Sequence, residues 1–252
     1  MAGKTIVVAS GKGGTGKTMF TANIGASLAM RGHRVCVVDM DTGLRNLDLY
    51  LGLEDKVVYD VNDVLNGVCR IKQAIIKHKT FPGLSFIAAS PKPDEGEITP
   101  LHIKVLCNKL KTVFDYVIVD APAGCDDGFQ VAMGGADELI LMITPEFASI
   151  RDAEAVNLIM KKQIQIAQDE GLYFPVPSIH YVLNKVDVQL VKAGMEMSLE
   201  EMPAGLRRNI IGIIKDDKNI HISTLLGTPI VFKPGTSIQQ NFERIAERIE
   251  KL

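Results

Sequence analysis

Short, uninterrupted apolar runs alternate with helix-periodic stretches along most of this chain. Ile6–Ala9, Val35–Val38, Leu84–Ala89, Tyr116–Val119, Leu139–Ile143, His180–Leu183 and Ile210–Ile214 each predict a strand, and Ile230–Phe232 a short further one. Lys17–Arg31 predicts a helix with Phe20, Ile24, Ser27 and Leu28 near one face, stopped by Gly32. Thr99–Leu110 predicts a second helix after the loop Ser90–Gly96. Ile238, Phe242, Ile245, Ile249 and Leu252 form an apolar stripe on a final helix over about 237–252. Strands that are apolar throughout, rather than alternating, belong to a sheet covered on both faces. The expected fold is therefore α/β: a doubly wound, mostly parallel sheet with helices on both faces, in one domain spanning residues 1–252. Ligands of such sheets sit outside the carboxyl ends of the strands.

The polar residues of interest fall at those ends. Gly11-Lys12-Gly13-Gly14-Thr15-Gly16-Lys17-Thr18 lies between the first strand and the first helix and fits the phosphate-cradling loop. In that reading backbone N–H groups and the helix N-terminus face phosphate oxygens. Lys17 reaches the β- and γ-phosphates, and the Thr18 hydroxyl ligates Mg²⁺. Gly11, Gly13 and Gly16 also satisfy the dinucleotide fingerprint, with Asp39 near the place of a ribose-binding acid. Lys17-Thr18 has no task in a dinucleotide site, and Asp120 closes an independent apolar strand where a Mg²⁺–nucleotide site wants an acid. In Asp39-Met40-Asp41, Asp39 is expected to help hold the waters of the metal and Asp41 to orient the attacking water; turn formation is the plain alternative. Asn184-Lys185-Val186-Asp187 follows another strand. An amide there can pair with a purine, and the tetrapeptide by itself admits GTP.

Composition narrows the class without deciding it. The chain has 252 residues and a net charge of −2, so no global field favours nucleic acid or anionic lipid. Lys161-Lys162 and Arg207-Arg208 are the only adjacent basic pairs, a thin footprint for DNA. Cys36, Cys69, Cys107 and Cys125 are too widely spaced for a zinc or dithiol pair, and Cys36 and Cys107 are expected to be buried thiols. No signal peptide or membrane-spanning run is visible, which leaves the reducing cytoplasm as the expected compartment.

With Lys12, the loop resembles the deviant phosphate loop of the MinD/ParA ATPases, and the likeness extends over most of the chain. Val37–Leu49, with its Gly-Leu-Arg-Asn-Leu-Asp block at 43–48, is similar to the MinD branch in particular. So are Val58–Val61, Asp120–Gly124 and Thr144-Pro145-Glu146 followed by Ser149–Ala153. The resemblance implies a weak, Mg²⁺-dependent ATPase that dimerises when ATP is bound and acts in septum-site placement. Lys12 would reach across to the phosphates held by the partner subunit, Asp41 would lie in the first switch, and Asp120 would begin the second. Adenine would be read from Asn184 and from residues after the seventh strand, which resolves the base by likeness alone. The same likeness implies a protein partner of the division-inhibitor or topological-specificity type, with Arg45, Arg151 and Asp152 as candidate contacts against a reading as ordinary surface or cap charges. It also leaves open peripheral contact at the inner face of the cell membrane. Rival readings are a positioning ATPase for flagella or plasmid partition, and an iron–sulfur carrier that would draw on Cys125.

Three departures stand out. Met19 replaces a Thr that helps hold the α-phosphate in the family, and Lys215-Asp216 stand where Pro-Glu is usual beside the base. The polar face of the last helix carries three Glu against two Arg and one Lys over 237–252. An interfacial membrane helix prefers a basic face, so this helix is expected to pack on the core.

Overall fold

The structure is a computed structural model, described over residues 3–42, 44–92 and 98–252. Gly43 of the Gly-Leu-Arg-Asn-Leu-Asp block and Pro93–Gly96 of the expected loop lie outside the described residues. The strands are β1 (Lys4–Ala9), β2 (Val35–Asp39), β3 (Ile76–Lys77), β4 (Leu84–Ile87), β5 (Tyr116–Asp120), β6 (Glu138–Ile143), β7 (Ser178–Val186) and β8 (Ile210–Lys215). The helices are α1 (Lys17–Met30), α2 (Leu47–Leu51), α3 (Val61–Leu65), α4 (Ile71–Ala74), α5 (Pro100–Lys111) and α6 (Asp127–Ala132). They continue with α7 (Phe147–Glu170), α8 (Val188–Lys192), α9 (Ala204–Arg207), α10 (Lys218–Leu225) and α11 (Ser237–Ile249).

One sheet runs β3-β4-β2-β5-β1-β6-β7-β8, parallel throughout except for the short edge strand β3. Both faces are dry, which explains the unbroken apolar runs. Val7 and Ala9 of β1 pack with α5, α6 and α7 on one face, while Ile6 and Val8 pack with α1 and α11 on the other. β1 lies between β5 and β6, at the point where the chain reverses its direction of winding. The loop after β1 therefore opens into the crevice where parallel sheets bind ligands.

Four local outcomes differ from the sequence pattern. Helix α1 is buried nearly all round rather than along one face, because α11 and α2 cover it as well as the sheet. Ile230–Phe232 is a 3-10 turn and not a strand. Pro229 begins it, and the Val231 N–H is directed to the Asn23 side chain at 3.3 Å instead of to a neighbouring strand. The last helix ends at Ile249, so Leu252 lies beyond it and is exposed, while Ile238, Phe242, Ile245 and Ile249 are fully buried. Phe242 meets Phe20 of α1 with ring centroids 5.9 Å apart. The edge strand β3 is too short to leave a periodic signal. Cys36 and Cys107 are buried, as expected, and burial pushes the Cys107 thiol up to about 12.

Candidate functional site

Residues 11–18 form a loop whose shape glycine makes possible. Gly14 and Gly16 have φ of 76° and 94°, left-handed values that strain other residues. A Cβ on Gly16 would also fall 2.4 Å from Asn184 Nδ2. Gly16 starts α1 without any side-chain cap, and the first turn carries no acid. The free N–H groups and the positive helix end are thus open to an anion. Lys17 is buried. Its Nζ donates to Ser10 Oγ at 3.0 Å, and desolvation lowers its pKa against the opposing pull of Asp120 and Asp41. Ser10 in turn donates to the Lys12 carbonyl at 2.6 Å, so it fixes both lysines of the loop. The Thr15 hydroxyl is buried without a hydrogen-bond partner.

A pocket of about 710 Å³ opens above the loop. Gly13, Gly14, Gly16, Lys17, Thr18 and Met19 of the loop and the start of α1 line it, together with Asp41. Asn184, Lys185, Lys215 and Asp216 also line it, as do Tyr50, His221 and Thr224. Most of the expected set is therefore brought together. Gly11, Lys12, Thr15, Asp39 and Asp120 do not line the cavity. Gly11 is pressed against α7, where an added Cβ would lie 2.6 Å from Asp152 Cβ, so Asp152 serves in packing against the loop. Arg45 is ion-paired with Asp48 at 2.6 Å.

Asp39 and Asp120 sit side by side in register on β2 and β5, both buried beneath the pocket. Burial raises the pKa of each carboxyl, and mutual repulsion adds to it at Asp120. Asp39 is partly compensated by N–H donors from Asp41, Leu47 and Asn46 at 3.0, 3.2 and 3.3 Å. Asp120 accepts from Thr21 Oγ1 at 3.2 Å and from the Thr18 side chain. Two adjacent buried carboxylates beside a threonine hydroxyl suit a divalent cation held largely through water. Among the described residues no group of three or more His, Cys, Asp or Glu is preassembled as a metal cage. Mg²⁺ takes many of its ligands from substrate phosphates and water, so it does not require such a cage. Thr18 would be the direct protein ligand, with Asp39 and Asp120 behind it.

Asn184 is buried, and its Nδ2 donates to the Thr15 carbonyl at 2.8 Å. It ties β7 to the phosphate loop as well as lining the pocket. Lys185 follows with φ 59°, the one described non-glycine residue in the left-handed region, and faces the same pocket. Asp187 is engaged elsewhere. Its Oδ1 caps α8 by accepting from the N–H groups of Gln189 and Leu190 at 2.8 and 3.2 Å, and its own N–H donates to Glu196. One oxygen of the acid that a guanine reading would use is thereby engaged at a helix start.

Lys12 points away from the pocket into an ion pair with Glu146, the residue that precedes α7. Phe147 beside it is 77% exposed. Burial and the neighbouring Asp126 and Asp152 all raise the Cys125 pKa, which disfavours the thiolate that a cluster ligand needs. Ser10, Tyr50 and Thr224 escape the sequence reading because they reach the site through tertiary packing and belong to no local motif, while Glu146 and Lys185 stand in quoted motifs that gave them no role.

This geometry agrees with four likenesses. Residues 6–230 match the CobQ/CobB/MinD/ParA nucleotide binding domain. The chain is 38% identical over 248 residues to the septum site-determining protein MinD of Bacillus subtilis, covering 98% of this chain and 89% of that one. It superposes on MinD in the MinC:MinD cell division protein complex of Aquifex aeolicus with a TM-score of 0.84 and 34% identity, covering 99% and 96% of the two chains. It superposes on the Pyrococcus horikoshii MinD complexed with Mg-ADP with a TM-score of 0.77 and 29% identity, covering 98% and 96%. The chain belongs to the CobQ/CobB/MinD/ParA nucleotide-binding family. Within that family it falls in the MinD branch.

Proposed function

We propose that this chain is a Mg²⁺-dependent ATPase that works as an ATP-driven dimerisation switch in septum-site placement. The observation that carries the reading is Lys12. It sits in the phosphate loop yet points away from the pocket of its own subunit, so its charge is available to phosphates only after the Glu146 pair opens. A cation delivered to a neighbour's phosphates would stabilise the charge of phosphoryl transfer and tie hydrolysis to association.

The remaining roles follow from position. The loop N–H groups and Lys17 hold the phosphates. The Thr18 hydroxyl and the buried acids hold Mg²⁺, which when bound neutralises phosphate charge. Asp41, half-buried at the pocket wall, orients the attacking water. Asn184 and the 215–216 segment receive adenine. The Aquifex relative is a MinC:MinD complex, which supports a division-inhibitor partner for this chain as well. The apolar face of α11 is spent on the core, so that helix is not the surface that would meet a bilayer. No helix among the described residues is long and apolar enough to cross a membrane.

Size-exclusion chromatography with Mg²⁺ and either ADP or ATP, followed by phosphate-release assays across protein concentration, tests the reading. The expected result is a monomer with ADP, a dimer with ATP, and turnover per chain that rises with concentration. Concentration-independent turnover by a monomer would overturn the switch while leaving nucleotide binding intact.

A further inference from the structure

A second concavity, of about 550 Å³, lies between the α3–α4 segment and α5 and shares no lining residue with the nucleotide pocket. Its floor is apolar, formed by Val64, Leu65, Ile71 and Leu106. Its rim is basic: Arg70, Lys72 and Lys109 line it with His102, and among the described residues no acid does. That is a local excess in a chain whose net charge is −2. None of the three cations makes an ion pair among the described residues. Asp60 and Asp63, the acids whose fields reach Cys69 at this groove, are turned into the capping box of α3. The other lysines of α5 are occupied, Lys111 by Asp137 and Lys104 by the Tyr173 ring.

The apolar floor also continues outward. Val105 and Leu101 of α5 are 46% and 53% exposed, and Val68 on the facing loop is 68% exposed. Leu101, Val105 and Lys109 succeed one another at four-residue spacing on a single face of α5. An apolar strip bordered by unpaired cations is complementary to a helix with an apolar stripe and acidic flanks. Helices wall the concavity on both sides, a shape that fits a rod better than a flat lipid surface.

We propose that the groove between α4 and α5 docks an acidic amphipathic helix of a partner protein. Its apolar stripe packs on Val64, Leu65, Ile71, Val105 and Leu106, and its carboxylates meet Arg70, Lys72 and Lys109. The site shares no lining residue with the nucleotide pocket.

Fluorescence anisotropy on the full chain tests it. The probe is a fluorescein-labelled synthetic peptide of about 18 residues, five helical turns, with leucines at helical spacing and glutamates flanking them. A twin peptide carries lysine in place of glutamate. The acidic peptide is expected to bind at least about tenfold more tightly than the twin, and to weaken as salt rises. The charge-reversal variant R70E/K109E should weaken binding by about tenfold or more, and Val105→Ser by several-fold. K161E/K162E, on α7, should leave binding unchanged. Should charge reversal disturb the circular dichroism, K72A/K109A replaces it. Equal binding of the two peptides, or indifference to the groove variants, would overturn the proposal. So would groove-dependent sedimentation with phosphatidylcholine vesicles containing phosphatidylglycerol in place of peptide binding, since that outcome assigns the surface to lipid.

Discussion

At the scale of single residues, the two lysines of the phosphate loop divide the work by where they point. Lys17 is buried against Ser10 and faces the pocket, while Lys12 is half-exposed and paired with Glu146. Lys12→Ala should therefore abolish the ATP-dependent dimer on size exclusion yet leave nucleotide affinity of the monomer within a few-fold, read by fluorescent-nucleotide titration. Glu146→Gln removes the competitor for Lys12 without changing its own shape, so the dimer should form at lower protein concentration. An exposed pair of this kind contributes about 0.2–1 kcal/mol, and because each subunit of the dimer opens one pair, the dimer midpoint should shift by about two- to thirtyfold. Asp41→Ala should leave the dimer intact and stop phosphate release, because the buried acids below are untouched. Normal turnover in that variant would remove Asp41 from the chemistry. The loop and its acids were legible because each needs a fixed residue type at a strand end. Ser10 was not, and Glu146 was noticed only as part of a likeness, since serine before a loop and glutamate before a helix show no task until the fold sets them against a lysine.

At the scale of elements, the apolar runs announced the central strands correctly, and the limits of that signal have a physical origin. A run of three apolar residues, Ile230–Phe232, is compatible with either a strand or a tight turn. Pro229 and the hydrogen bond to Asn23 decide it. The stripe of α11 carried the opposite lesson. Its period correctly marked a buried face, and the structure shows that face filled by contacts to α1 and β8. Phe242→Ala should cost about 3–5 kcal/mol by analogy with other fully buried aromatics. Thermal denaturation should record this as a drop of roughly 6–20 °C at about 2–4 °C per kcal/mol for a domain of this size. A negligible shift would mean that α11 is loosely held. At its far end Arg31 makes a bidentate contact with Glu250 at 2.7 Å, with His33 at 2.8 Å from the same carboxylate. Arg31 chiefly, and His33 after it, hold that carboxyl down to about 2.

At the scale of the whole molecule, the nucleotide-free protein carries an electrostatic load at its centre. Asp39 and Asp120 have raised pKa values, chiefly from burial, so in this region the native state binds more protons than the unfolded chain. The slope of stability against pH is then negative. The contribution of these acids should fall as pH rises from the ordinary carboxylate range through their elevated native values, and should recover as pH falls. Asp120→Asn removes one charge of the pair. It should raise the melting temperature of the nucleotide-free protein near neutral pH and flatten its pH dependence, while weakening stabilisation by Mg²⁺ with nucleotide. A lower melting temperature in that variant would show that the carboxylate is better compensated than its surroundings suggest. The same load explains why metal and nucleotide should stabilise the fold together, since neither alone relieves both acids and the open helix end.

The cap made by Asp187 has a bearing on inheritance. The Asp187 Oδ1 already holds the Gln189 and Leu190 amides, so replacing the acid by alanine would undo the start of α8 whatever the residue does for a base. Drift at this position is therefore constrained by a helix that takes no part in hydrolysis.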